Sequence, residues 1–344
     1  MEKPLTISDI SKTAGVSKAT VSYYLNGHYE YMSAETRKKL ETIIDELSYR
    51  PNNLARSLKS KKSKTIGVIF SSLSGHMSMS YLFIKAACSA LDTYGYNASV
   101  FIAEEREDKE REYIQRCIEN QMDGIILHPS TLDYDYYAKI HESGTPIVIA
   151  TRYMPIWKYD GVMLNYTKSV REAIQHLRDS GFEQVALFLD APDTPLLSPT
   201  TRMRKDSYLQ YTNEFFGPDA QGAIYYNVIE SERASWCVDD LMERFPDKKK
   251  AIIAVNSRVL IVSLKALREK GIEIPGQMGI CGFAALDWTD VVLPAVTVIT
   301  QPLDRVGEVA ANLMIERIRD KEAPVQVVYL ETQLVRRDST RFSK

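Results

Sequence analysis

The chain has 344 residues, 44% hydrophobic and 26% charged with 14 prolines, which allows a small module plus one large or two medium domains and excludes a disordered, collagenous or membrane-spanning chain. The longest apolar runs, such as Ile66 to Phe70 and Ile147 to Ala150, are strand-sized, far short of the roughly 20 residues of a membrane span; Met1 to Ile10 carries no apolar signal stretch, so we expect a cytoplasmic protein with no membrane partner. The net charge of −2 is unevenly split, with 12 Lys/Arg against 7 Asp/Glu in residues 1–64 and 31 against 38 in the remainder, the pattern of a basic nucleic-acid module on an acidic body.

Thr6 to Asp9 has the form of a capping box, so a helix is expected from Ile7 to Ala14. Gly15 supplies a tight turn, Val16 an apolar plug and Ser17 the cap of a second helix reaching Leu25. Two short helices joined by a glycine turn form a helix-turn-helix. Ile7, Ile10, Ala14, Val16, Val21 and Leu25 are spaced to meet inside it. After the turn pair Asn26-Gly27, Ser33 caps a third helix whose Leu40, Ile43, Ile44 and Leu47 provide the floor. A generic three-helix bundle would share these features. DNA is favoured by the face left over, Ser17, Lys18, Ala19, Ser22 and Tyr23, small or hydrogen-bonding at the end that meets base edges in such motifs.

Ala14 to Gly27, with Ser33 to Arg37 and Leu47 to Asn52, closely resembles the headpiece of the lactose/galactose repressor family. The resemblance implies that Lys18 and Ala19 carry operator choice, Lys18 donating to guanine O6/N7 and Ala19 touching a thymine methyl. It implies that Thr20, Ser22, Asn26, Ser33 and Thr36 hold phosphates; Thr6 and Ser17 join this DNA-binding set. Most members have arginine where this chain has Tyr23, so the mode of binding carries over and the operator sequence does not. Val21 to Gly27 looks most like the members that answer to ketodeoxygluconate. The segment 51–63 could be a soluble linker, yet Pro51 can open a short helix with Leu54 and Leu58 on one face. Such a helix is too short to be stable alone. The family resemblance implies that it folds on operator DNA, with Asn52, Ala55 and Leu58 at the minor groove and Leu58 wedged into a central base step.

From Thr65 onward strand-like runs alternate with helical spacing. The strands are Ile66 to Phe70, Ala98 to Ala103, Gly124 to His128, Ile147 to Thr151, Val185 to Asp190, Ala251 to Asn256 and Met278 to Phe283; helices include Tyr81 to Tyr94 and Val170 to Ser180. Repeated βα units of this kind predict parallel sheets covered on both faces. The resemblance extends over the whole chain and implies an α/β periplasmic-binding-protein-like core of two doubly wound lobes behind the all-α headpiece. The expected division is a headpiece at 1–50, a hinge at 51–63 and a core at 64–344. Crossings near Leu164, Ala295 and Pro324 would assign 64–164 and 296–324 to the first lobe, and 165–295 and 325–344 to the second.

Ligands in open α/β folds sit beyond the carboxyl ends of the strands. Those ends and their neighbours give the effector set Ser71, His76, Thr151, Arg152, Arg204, Asn256, Arg258 and Gln301, with Asp190 close by. Members that bind neutral sugars usually place aspartates where this chain has Thr151 and Ala284. Lost acceptors beside three arginines point to an anion, because a guanidinium meets a carboxylate or phosphate bidentately. A sugar acid such as ketodeoxygluconate is expected, with a sugar phosphate next.

No nucleophile elbow, phosphate loop, H-E-x-x-H or dinucleotide fingerprint is present. Cys88, Cys117, Cys237 and Cys281 lie far apart, without a C-x-x-C pair. We therefore expect no catalytic residue, metal or cofactor. The expected protein is a homodimeric transcriptional repressor of carbohydrate catabolism genes, binding double-stranded operator DNA and a small anionic sugar. The alternatives are control by a phosphorylated carrier protein and, more distantly, a solute-binding protein or sugar-converting enzyme; neither of the latter explains the headpiece.

Overall fold

A computed structural model describes residues 5–49, 62–71, 77–130, 133–142, 144–151, 158–194, 198–218, 223–284 and 288–341. Chain contacts divide it into two compact units, 1–64 and 65–344.

The first unit contains α1 (Ile7–Ala14), α2 (Lys18–Leu25) and α3 (Ala34–Glu46). Their starts are set by local side chains. Asp9 Oδ2 accepts the Thr6 backbone N–H at 2.8 Å and the Thr6 hydroxyl at 2.7 Å. Ser17 and Ser33 cap the other two helices by accepting the N–H of Thr20 and of Thr36, each at 3.1 Å. Gly15 takes φ 66°, the left-handed conformation that the turn between α1 and α2 requires. Ile10, Ala14, Val21 and Leu40 are buried together, with Ile7, Val16, Leu25, Ile43 and Ile44 packed around them. Leu47, expected in this core, is exposed. Ser48 has φ 47°, so the chain turns back after α3 and Tyr49, hydrogen-bonded to the Ile44 carbonyl at 2.9 Å, fills the place.

The second unit alternates strands and helices. Its first half comprises β1 (Thr65–Phe70), α4 (Met77–Thr93), β2 (Asn97–Ile102), α5 (Glu107–Glu119), β3 (Gly124–His128), α6 (Tyr134–Glu142), β4 (Ile147–Ala150) and β5 (Asp160–Asn165). There follow α7 (Thr167–Asp179), β6 (Gln184–Phe188), α8 (Pro199–Phe216), β7 (Ile224–Tyr225), α9 (Ser231–Arg244), β8 (Lys250–Ala254), α10 (Ser257–Glu269) and β9 (Met278–Phe283). The chain closes with β10 (Thr297–Thr300), α11 (Leu303–Arg319), β11 (Val327–Glu331) and β12 (Gln333–Val335). The strands form two six-stranded sheets, β11-β5-β4-β3-β1-β2 and β12-β10-β9-β8-β6-β7. All pairs are parallel except β10 with β12. Central strands are buried along their whole length, as strands covered by helices on both faces must be.

The lobe boundaries differ from expectation in the last fifty residues. Thr297–Thr300 pairs with β9 in the second sheet, and Val327–Glu331 pairs with β5 in the first. Segment 296–324 is therefore split between the lobes, as is 325–344. The reason is long-range: α11 packs on α4, and its Gly307 lies so close that an added Cβ would sit 2.3 Å from the Phe83 carbonyl oxygen. That packing carries the chain back to the first sheet only after β10 has been laid down in the second.

A buried ion pair fastens this return. Arg317, on the last turn of α11, reaches both oxygens of Asp160 at 2.8 and 2.9 Å and also donates to the carbonyls of Lys321, Ala323 and Pro324. Asp160 Oδ1 accepts the Gln326 N–H at 2.9 Å, so one carboxylate joins α11, β5 and the approach to β11.

His176, on α7, is held to Thr340 at 2.8 Å. Burial, aided by Arg336 and Arg341, pushes its pKa down to about 4. The folded state thus binds the proton less well than the unfolded chain, and stability present above about pH 6.5 is lost as pH falls towards 4. Because the ring is only partly buried, we expect about 1–2 kcal/mol of acid-dependent destabilisation from this group. Urea unfolding at pH 7 and pH 4.5 should show His176→Gln losing less stability than the unaltered protein; equal losses would contradict this.

Candidate functional site

In an open α/β sheet the crevice opens beyond the carboxyl ends of the strands where strand order reverses. That point lies between β1 and β3 in the first sheet and between β6 and β8 in the second. A side-chain pair marks each. Ser71 Oγ, just past β1, is 2.7 Å from Nδ1 of His128, the last residue of β3. The His128 ring stacks on Phe70 with centroids 4.3 Å apart. Past β8, Asn256 Nδ2 donates to Asp190 Oδ2, past β6, at 2.7 Å, while Asn256 Oδ1 caps α10 by accepting the Val259 N–H at 3.0 Å. Both pairs line one cleft of about 430 Å³, a volume suited to a small ligand.

Arg204 forms part of its wall. α8 begins with Ser198 as cap and Pro199 in its first turn, which places Arg204 on the buried side with 7% exposure. Its guanidinium lies 4.4 Å from the Tyr166 ring centroid and 4.1 Å from that of Phe283. Nη1 donates to the Val255 carbonyl at 2.5 Å and Nη2 to Gln301 Oε1 at 3.1 Å. Gln301 Oε1 also accepts the Tyr166 hydroxyl, at 3.1 Å. Among the described residues Nε of Arg204 has no protein partner although buried; the same is true of Asp190 Oδ1, Thr151 Oγ1 and Ser130 Oγ. All four belong to side chains of the cleft wall. A buried polar atom left unsatisfied costs about 1–3 kcal/mol, so four such atoms around one cleft are a set of hydroxyls, a carboxylate oxygen and a cationic N–H suited to a polyhydroxylated ligand.

Thr151 adds strain. It takes φ 63°, unusual for a β-branched residue, and is held there by its N–H to the Val162 carbonyl at 2.7 Å and by the Thr200 hydroxyl, which donates to its carbonyl at 3.2 Å. Ser130 is held by Glu110, fully buried, whose carboxylate accepts both the Ser130 N–H and the Tyr137 hydroxyl.

In the first unit, Lys18, Ala19, Ser22 and Tyr23 share one face of α2, opposite the buried Val21. The expected phosphate-binding hydroxyls are already engaged locally. Ser17 Oγ and Thr20 Oγ1 are 2.9 Å apart, as are Ser33 Oγ and Thr36 Oγ1, and Asn26 Nδ2 donates to the Ser22 carbonyl at 2.7 Å. These bonds fix the helix ends and, with the caps, engage the N–H groups of Thr20 and Thr36 as well.

Residues 6–52 match the family model for bacterial regulatory proteins of the lacI family, and residues 174–340 match that of the periplasmic binding protein-like domain. The HTH-type transcriptional regulator KdgR of Bacillus subtilis (strain 168) is 30% identical over 337 residues, 97% of each chain. This chain belongs to the lacI family. Catabolite control protein A of Priestia megaterium is 26% identical over 98% of this chain and 99% of that protein. The fold is that of the lac repressor dimer bound to operator and the anti-inducer ONPF, with a TM-score of 0.82 at 23% identity over 99% of this chain and 100% of that one. The lacI-family chain is thus a DNA-binding transcriptional regulator of the repressor kind.

Of the effector residues expected from sequence, the cleft of this lacI-family regulator gathers Ser71, Thr151, Arg204, Asn256 and Gln301. His76 and Arg152 lie outside the described residues, as do Asn52, Ala55 and Leu58 of the expected hinge. Arg258 is a correction. It is exposed on the outer side of α10 and absent from the cleft wall, because its neighbours Ser257, Val259 and Leu260 take the buried face. The expected convergence of three arginines therefore reduces, among the described residues, to Arg204. Asp190, expected close by, also lines the cleft, whereas His128, Ser130 and Tyr166 are cleft residues the sequence reading did not include; for His128 the available signal was its place at the end of a predicted strand.

The thiols are free. Burial pushes Cys117 and Cys281 up to about 12 and Cys237 to about 11, so these remain protonated. Among the described residues no group of three or more His, Cys, Asp or Glu is arranged to hold a metal, and no helix is long and apolar enough to cross a membrane.

Proposed function

We propose that this chain is a cytoplasmic, homodimeric repressor of carbohydrate catabolism genes whose operator affinity is set by a small sugar acid, ketodeoxygluconate or a near relative, bound in the cleft. The observation that carries the reading is the presence in one cleft wall of a buried cationic N–H, Arg204 Nε, and a buried carboxylate oxygen, Asp190 Oδ1, each without a partner among the described residues. The first suits the ligand's carboxylate and the second one of its hydroxyls. The 30% identity to KdgR supports the same choice. Arg204 commits one N–H of Nη1 and one of Nη2 to Val255 and Gln301; its Nε–H suits a carboxylate and a phosphate alike, so the choice between sugar acid and sugar phosphate falls to the test below. Glu105, also in the cleft wall, favours a neutral sugar as the second reading. The dimer would present two α2 helices to successive major grooves, and ligand would alter operator affinity by a coupling energy of typically about 1–3 kcal/mol.

Thermal unfolding of the full-length protein with ketodeoxygluconate, gluconate, glucose 6-phosphate and glucose tests the reading. At about 100 times its dissociation constant, the true ligand should stabilise by about 2.7 kcal/mol. We expect a shift with the sugar acids, largely removed by Asp190→Asn. A shift with glucose alone would select the neutral-sugar reading. No shift with any of the four would remove the case for a sugar in this cleft and favour control by a protein.

A further inference from the structure

The turn after α2 carries His28, Tyr29 and Tyr31 within four residues, and they are not equivalent. Tyr29 is the brace: its ring meets Tyr24 edge-on at 5.7 Å, and the Arg37 guanidinium lies 3.9 Å from its centroid. The His28 N–H ties the turn to the Tyr23 carbonyl at 2.9 Å. Tyr31 contributes nothing to the headpiece core, being 64% exposed. Its ring instead lies on that of Tyr23, with centroids 4.8 Å apart and planes inclined by 33°. His28 closes the group edge-on, 6.5 Å from Tyr23 and 6.3 Å from Tyr31. Tyr23 is itself 40% exposed and stands one helical turn beyond Ala19 on the outward face of α2.

Two large exposed aromatic rings held against each other beside a base-reading face need a reason. A lone tyrosine near the end of a helix would sample several rotamers, and fixing one on binding would reduce affinity. Stacked on Tyr31 and edged by His28, the Tyr23 phenol is ordered before DNA arrives. The pair is uncharged, so it contributes little to the phosphate-driven, salt-dependent part of binding and acts on which base pair is accepted. An aromatic edge in the major groove meets the C5-methyl of thymine favourably and cannot supply the forked donors that guanine O6 and N7 reward.

We propose that Tyr31 is a positioning residue for sequence reading, holding Tyr23 so that the Tyr23–Tyr31 pair selects an A·T pair at the operator position that Tyr23 reaches. The inference rests on α2 being the base-reading helix. Selection from a random-sequence duplex library tests it, using the full-length protein and the variants Tyr31→Ala, Tyr31→Phe and Tyr23→Arg. The unaltered protein and Tyr31→Phe, which keeps the ring, should recover one site with A·T preferred at a two-fold-related pair of positions. Tyr31→Ala should recover the same site with that preference weakened by at least about fivefold, and Tyr23→Arg should turn those positions to G·C. A purely structural Tyr31 would lower binding evenly over all sequences. Base preferences of Tyr31→Ala identical to those of the unaltered protein would overturn the proposal, as would indifference of the unaltered protein at the positions that Tyr23→Arg changes. Failure of the unaltered protein to enrich any sequence would instead bring down the DNA-reading role of α2, and the inference with it.

Discussion

Replacing Arg317 by methionine is expected to lower the unfolding free energy of the 65–344 unit by about 3–5 kcal/mol. The pair it forms with Asp160 is buried on both sides, with side chains 6% and 2% exposed. Deleting one partner leaves an uncompensated carboxylate in a low-dielectric interior, and three carbonyls lose their donor at the same time. The result should be visible as a fall in midpoint of roughly 6–20 °C in calorimetry of the full chain, at about 2–4 °C per kcal/mol for a domain of this size. Because the penalty comes from the abandoned charge, Arg317→Met combined with Asp160→Asn should recover part of the loss, whereas two independent effects would add. A loss under about 1 kcal/mol for the single variant would show that the pair does not fasten α11 to β5.

Arg204→Lys is expected to abolish the ligand-induced thermal shift and to cost the protein about 2 kcal/mol, although the charge is kept. The guanidinium lies against the rings of Tyr166 and Phe283, which meet each other edge-on at 5.6 Å, while it serves the Val255 carbonyl and Gln301 Oε1. An ammonium has neither the plane to pack on a ring nor the breadth to bond both acceptors, and it lacks the Nε–H proposed above to meet the ligand's carboxylate. Gln301 Oε1 would lose the Arg204 donor and keep that of Tyr166, at the place where the chain passes from β10 to α11. Calorimetric titration of ketodeoxygluconate into the variant should show affinity reduced by at least about a hundredfold, equivalent to about 2.7 kcal/mol. An affinity within about threefold of the unaltered protein would mean that Arg204 supports the wall without touching the ligand, and would return the choice of ligand to Asp190 and Glu105.

Much of this protein is legible from short-range pattern. Thr6 with Asp9, Ser17 with Thr20 and Ser33 with Thr36 are partners three residues apart, so the starts of the headpiece helices depend on nothing distant. Strands such as Gly124–His128 and Met278–Phe283 announce themselves as apolar runs because both sheet faces are covered. The shorter strands are silent for the opposite reason. β7 has two residues and β12 three, at sheet edges, and their strand character comes from the neighbour they pair with rather than from their own composition.

The helix-turn-helix, the alternating βα pattern and the strand ends where a ligand would be sought are written locally in the chain, since each follows from residues that interact within a few positions of one another. Which strand ends meet is settled by long-range packing: Asp190 and Asn256 are 66 residues apart, and Ser71 and His128 are 57 apart. It likewise turned Arg258 outward while drawing Arg204 inward against two rings, and it sent β10 and β11 to opposite sheets. Helix phase and sheet partner are set by which face finds a complementary surface to pack against, and that surface is supplied by distant parts of the chain.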